Sequence, residues 1–94
     1  MIKINKEMDK ITISGHANYQ DTNDIVCASV SSIMYTTVNA IFNLNKDAIT
    51  FTDDGNECSI IIDNKDDITS SLIDNMMLMF EDLKRQYPSN IEIK

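Results

Sequence analysis

Basic residues are scarce in this chain. Eight Lys and Arg stand against 15 Asp and Glu, a formal net charge of −7. A surface of that sign repels phosphate, so direct nucleic-acid binding, which needs clustered Lys and Arg, is not expected. A basic polypeptide segment is the favoured kind of partner. Long apolar runs are also missing. The longest charge-free stretch, Ile25 to Leu44, is broken by Ser, Thr and Asn. It reads as amphipathic rather than as the ~20-residue apolar span that a bilayer needs, so no membrane role is expected. The N-terminus, Met1-Ile2-Lys3-Ile4-Asn5, has no apolar export core. Histidine occurs once and cysteine twice, at Cys27 and Cys58. That spacing is no disulfide framework, and with one His it falls short of a four-ligand zinc site, so no metal or cofactor is expected. Reduced thiols point to a cytoplasmic protein.

What is present is a chain of 94 residues, 43% hydrophobic, enough for one packed domain and too apolar for disorder. Its hydrophobic period changes several times. Ile2 and Ile4, then Ile11 and Ile13, alternate with polar residues around a polar turn at Lys6 to Lys10, which predicts a β-hairpin ending near Ser14-Gly15. After a polar loop, Asp24 reads as an N-cap. The helix that follows, Ile25 to about Leu44, carries one apolar stripe of Val26, Val30, Ile33, Ala40, Ile41 and Leu44 and a second of Cys27, Met34 and Val38 beside it. An arc that wide predicts a leftover apolar face and hence a twofold dimer. Ala48 to Thr52 and Cys58 to Asp63 read as strands around an Asp53-Asp54-Gly55-Asn56 turn. A second helix starts at Asn64 to Asp67, presents Ile68, Leu72, Met76, Met79, Phe80, Leu83 and Tyr87, and stops at Pro88, the only proline. Ile91 and Ile93 alternate as a last strand. The fold class is therefore α+β, in the order ββαββαβ, with two helices on one face of a mostly antiparallel sheet.

One stretch carries chemistry. Gly15-His16-Ala17 ends a strand, and Asp24-Ile25-Val26-Cys27-Ala28-Ser29-Val30-Ser31 opens a helix. With Asp24 as cap, Cys27 falls in the first turn, where unsatisfied N–H groups and the helix dipole favour a thiolate. An imidazolium beside it would add to that. The same N–H groups could receive a developing oxyanion. Cys27 as nucleophile with His16 as acid and base is thus coherent chemistry. By spacing alone a core position is the commoner role for such a thiol, a structural or solvated strand end for the histidine, and a cap for Asp24. Cys58, alternating within a strand, reads as core.

The same two segments resemble the signature of the ribosomal-processing cysteine protease family, Prp, and the element order extends the likeness over nearly the whole chain. The resemblance implies that Cys27 and His16 form a catalytic dyad. It also implies a homodimer, and as substrate the N-terminal extension of large-subunit ribosomal protein twenty-seven, cut just after a paired aromatic motif during ribosome maturation. Thr22 and Asn23 stand where the family's loop commonly has a glycine, and Ser29 where it usually has alanine.

Residues 1–94 are accordingly read as a single cysteine endopeptidase domain. Cys27 attacks the scissile carbonyl, and His16 holds the thiol proton and returns it to the leaving amine. Gly15, Asp24 and Ser31 support the site. Asn18, Tyr19, Gln20, Asp21, Thr22 and Asn23 form the substrate loop. Two rivals need no protease. One is a non-catalytic acidic adaptor for a basic ribosomal protein or assembly factor. The other is a redox-sensing thiol protein, which lacks a nearby resolving cysteine in sequence.

Overall fold

The computed structural model describes residues 1–15 and 21–94, and only the backbone of Asp21 to Asp24. Its elements are β1 (Ile2–Glu7), β2 (Lys10–Ser14), α1 (Asp21–Leu44), β3 (Ile49–Asp53), β4 (Glu57–Ile62), α2 (Asp67–Gln86) and β5 (Ile91–Ile93). The expected order and fold class are those observed.

Strand alternation decides which face of the sheet is covered. Ile2, Ile4, Ile11, Ile13 and Ile60 are buried, whereas Lys3 and Lys10, at the alternate positions of their strands, are exposed. The first hairpin pairs Lys3 with Ser14 through Glu7 with Lys10, leaving only Met8-Asp9 to turn the chain. The turn is tighter than the five polar residues expected, and Met8 takes the left-handed conformation at φ 50° to make it. The sheet order is β3-β4-β2-β1-β5. All pairs are antiparallel except β1 with β5, which sets Ile2 beside Ile91 and makes the sheet mixed.

Both helices pack on the isoleucine face and on each other, α1 over β3 and α2 over β5. The buried stripe of α1 is Val26, Val30, Met34, Val38 and Ile41. Met34 and Val38, expected at the side, are therefore core, while Leu44 is exposed and Ile33 and Ala40 are half-buried. The apolar arc is wide because α1 meets two neighbours, the sheet on one side and α2 on the other. By length and a mean hydropathy of 1.6, Ile25–Leu44 could cross a bilayer after all. In this fold its stripe is instead packed on the sheet.

Helix α2 is capped by Asp66, whose carboxylate accepts the Thr69 N–H at 2.7 Å. It ends at Tyr87, just before Pro88, which has no N–H to continue the ladder. Its buried residues are Thr69, Ile73, Met76, Phe80 and Leu83. The expected face is rotated at its start: Ile68 and Met79 are exposed, and Ile73 takes the inward place. Each helix faces a sheet edge and a helix together, so its inward direction is set by the bisector of two contacts, which periodicity alone does not locate.

Candidate active site

Two element ends meet at one corner. Strand β2 stops at Ser14, and Gly15 follows with φ +92°, its Cα so close to the N-terminal strand that a Cβ would lie 2.2 Å from the Met1 carbonyl oxygen. Only glycine fits there, on both counts. His16 comes next in sequence. It lies outside the described residues, as do Asn18, Tyr19 and Gln20 of the expected substrate loop.

The rest of that loop is not loop. Asp21, Thr22 and Asn23 open α1, and Asp24 is its fourth residue rather than its cap. Asp, Thr and Asn suit cap and first-turn positions alike, so their composition leaves the boundary open by a turn. The shift alters the chemistry expected of the helix end. Within the helix, the N–H groups without helical acceptors belong to Asp21 through Asn23. Cys27 is the seventh residue, and its own amide lies within the helical ladder.

Cys27 is half-buried and is not disulfide-bonded. It lines a cavity of about 220 Å³ together with Gly15 and Ser31. Ser31 follows it by one helical turn and is exposed. The cavity therefore unites three of the expected site residues across the strand end and the helix. Its floor is apolar, from Ile2, Ile13, Val30 and Met34, and its far wall is Tyr35, Asp53 and Cys58. Among the described residues, the carboxylates in its lining are Asp53 and Glu57, and none is Lys or Arg.

That far wall was missed in the sequence, where Asp53 reads only as a turn residue and Cys58 only as core. Cys58 is in fact half-buried and open to the cavity. A signal existed for Tyr35, since Cys27, Ser31 and Tyr35 recur at intervals of four along one helix face. The Tyr35 hydroxyl donates to Asp53 Oδ2 at 2.7 Å, and its ring stands edge-on to Phe51 with centroids 5.6 Å apart. Asp53 Oδ1 accepts the Gly55 N–H at 2.9 Å. These two donors, Gly55 first, hold the Asp53 carboxyl below its ordinary value. The bond to Asp53 in turn pushes the Tyr35 phenol up to about 12. Burial, and then the charge of Asp53, push the Cys58 thiol up. At neutral pH a fixed negative charge thus lines the cavity that Cys27 also lines.

Comparison with known proteins gives this corner a context. A ribosomal processing cysteine protease Prp of Staphylococcus aureus is 28% identical over 98 residues, a match covering 98% of this chain and 92% of that protein. A crystal structure of the S. aureus ribosomal processing protease Prp with a covalently linked product peptide superposes with a TM-score of 0.85 at 25% identity, covering 100% of this chain and 98% of the other. A Streptococcus mutans crystal structure shares the fold, with a TM-score of 0.81 at 22% identity over 99% of this chain and 90% of that one. The family described as cysteine protease Prp matches residues 1–92, nearly the whole chain, so the chain belongs to the Prp family of cysteine proteases.

Proposed function

We propose that this protease cleaves the N-terminal extension of large-subunit ribosomal protein twenty-seven, with Cys27 as nucleophile and His16 as general acid and base. The observation that carries the reading is the position of Cys27: its thiol lies on the wall of a cavity that also receives Gly15, the residue directly before His16. The S. aureus relative bears the name of a ribosomal processing protease and is known with a covalently linked product peptide, which is the state a thiol nucleophile would leave.

The Cys27 thiolate adds to the scissile carbonyl carbon, and the carbonyl electron pair moves onto oxygen. Collapse expels the amine, which takes its proton from His16. Water, giving a proton to His16, then attacks the thioester, releases the carboxylate product and restores the thiol. The apolar floor suits an apolar or aromatic pair in the substrate, and the Asp53 and Glu57 wall suits a neighbouring Lys or Arg. Residues 1–94 act as a single domain, as a homodimer in the cytoplasm, without binding nucleic acid directly. Support for pairing comes from exposed Met79, which lines a cavity of about 490 Å³ between the two helices, and from exposed Ile25 on α1.

The test is incubation with the extended ribosomal protein followed by mass analysis of the product. Cys27→Ala is expected to abolish cleavage with the fold intact, and His16→Ala to lose ~10²–10⁴-fold. Cleavage retained by Cys27→Ala would end the cysteine protease assignment of this residue. Sedimentation at micromolar concentration is expected to show about twice the 10.7 kDa of one chain.

A further inference from the structure

Among the described residues no strand pairs with the outer edge of β3, which is buried at Ile49 and opens to solvent toward Thr52 and Asp53. The β3–β4 ladder runs without a bulge from Ile49 opposite Ile62 to Asp53 opposite Cys58. Its hydrogen-bonded positions are set at both ends: Asp63 N–H donates to the Ala48 carbonyl and Asp54 N–H to the Glu57 carbonyl. Bonded and non-bonded pairs alternate in an antiparallel ladder. Thr50 and Thr52 therefore turn their N–H and C=O toward β4. Ile49, Phe51 and Asp53 turn theirs away, to the edge of the sheet, where β3 is the terminal strand.

Sheet edges are usually blunted by lysine, proline, a bulge or short length. The opposite edge, β5, has three residues followed by Lys94. Strand β3, Ile49-Thr50-Phe51-Thr52-Asp53, carries none of the first three devices and is five residues long. Its edge is also continuous with the active-site corner. Asp53, the last residue of the strand, lines the Cys27 cavity, and Tyr35, on the helix above, packs edge-on to Phe51. A chain laid along β3 would thus run beneath a half-exposed tyrosine and reach the cavity at Asp53.

We propose that β3 is the docking edge for the substrate: an extended segment of the cleaved polypeptide pairs with Phe51 and Asp53 as a sixth strand and enters the Cys27 cavity past Asp53. This rests on the protease function proposed above. Main-chain pairing supplies affinity at such an edge, and alternate side chains supply specificity. Every second substrate side chain turns to the helix side, toward Tyr35 and Phe51, which fits an apolar or aromatic residue.

The experiment uses the Cys27→Ala chain and a synthetic peptide spanning the extension and cleavage site of ribosomal protein twenty-seven. Amide hydrogen exchange is read residue by residue with and without peptide. Phe51 and Asp53 are expected to slow at least tenfold on binding, while Thr50 and Thr52, already bonded to β4, change little. Single N-methylation along the peptide is expected to weaken binding at alternate residues only. If wild-type protein cleaves the peptide but Phe51 and Asp53 exchange unchanged, edge docking is overturned and the protease function stands. If the peptide is neither bound nor cleaved, the proposed substrate falls and edge docking with it. Protection of the same amides by raised protein concentration alone would assign the edge to a second copy and also overturn the proposal.

Discussion

Replacing each of the two glycines by alanine separates backbone strain from steric contact. Gly15 has φ +92° and Gly55 φ +89°, so both substitutions force an L residue into nearly the same left-handed backbone. That costs about 1–2 kcal/mol, offset by about 0.4–1 kcal/mol from the stiffer unfolded chain. The two sites differ in what a methyl would meet. At Gly55 nothing lies within 4 Å, whereas at Gly15 the new Cβ would fall 2.2 Å from the Met1 carbonyl oxygen and 3.3 Å from the Ile2 Cα. Both are backbone atoms, so relief requires β1 to move. Such overpacking adds about 1–3 kcal/mol. Gly55→Ala is therefore expected to cost about 1 kcal/mol and Gly15→Ala about 2–4 kcal/mol. In thermal unfolding at about 4–8 °C per kcal/mol, the gap of about 1–3 kcal/mol between the variants is roughly 4–24 °C. Urea titration with an unchanged m-value would confirm that the effect lies in the native state. Equal losses for the two variants would refute the argument, because the Met1 contact would then contribute nothing. Gly15→Ala is also expected to lower activity, since it displaces the residue before His16.

Other outcomes follow from the same structure. Iodoacetamide at pH 7 is expected to label Cys27 well before Cys58, whose thiol is held above its ordinary value of 9.0 by burial and by Asp53; its labelling keeps rising beyond pH 9, and equal rates at pH 7 would contradict that. Asp66→Ala removes the α2 cap to Thr69 and is expected to cost about 1 kcal/mol in urea unfolding. Phe80, fully buried, is expected to cost about 3–5 kcal/mol as Phe80→Ala, against under 0.5 kcal/mol for Leu78→Ala at an exposed position of the same helix. The carboxyls of Asp53, Asp54 and Asp66 all lie below their ordinary 3.8 in the folded chain. Their contribution to stability is thus complete above that pH and is lost as pH falls through their lowered folded values; stability flat from pH 5 down to pH 2 would exclude it.

The element order and the motif that carries Cys27 were legible because local rules govern them. Alternating isoleucines specify one covered strand face, Asp53-Asp54-Gly55 specifies a turn, Pro88 a stop, and Gly-His-Ala before Asp-Ile-Val-Cys is a motif of contiguous residues. Where α1 starts was not legible, since Asp21, Thr22, Asn23 and Asp24 suit a cap and a first turn equally; the structure moved Cys27 from the first turn to the second and with it the helix N–H groups. Which side of each helix points inward was decided by packing, because α1 and α2 each answer to the sheet and to the other helix, and so Met34 and Ile73 are core while Leu44 and Ile68 are not. The far wall of the cavity is wholly tertiary. Tyr35, Asp53 and Cys58 lie on three different elements, and only the antiparallel register of β3, β4 and β2 beneath α1 brings them opposite Cys27.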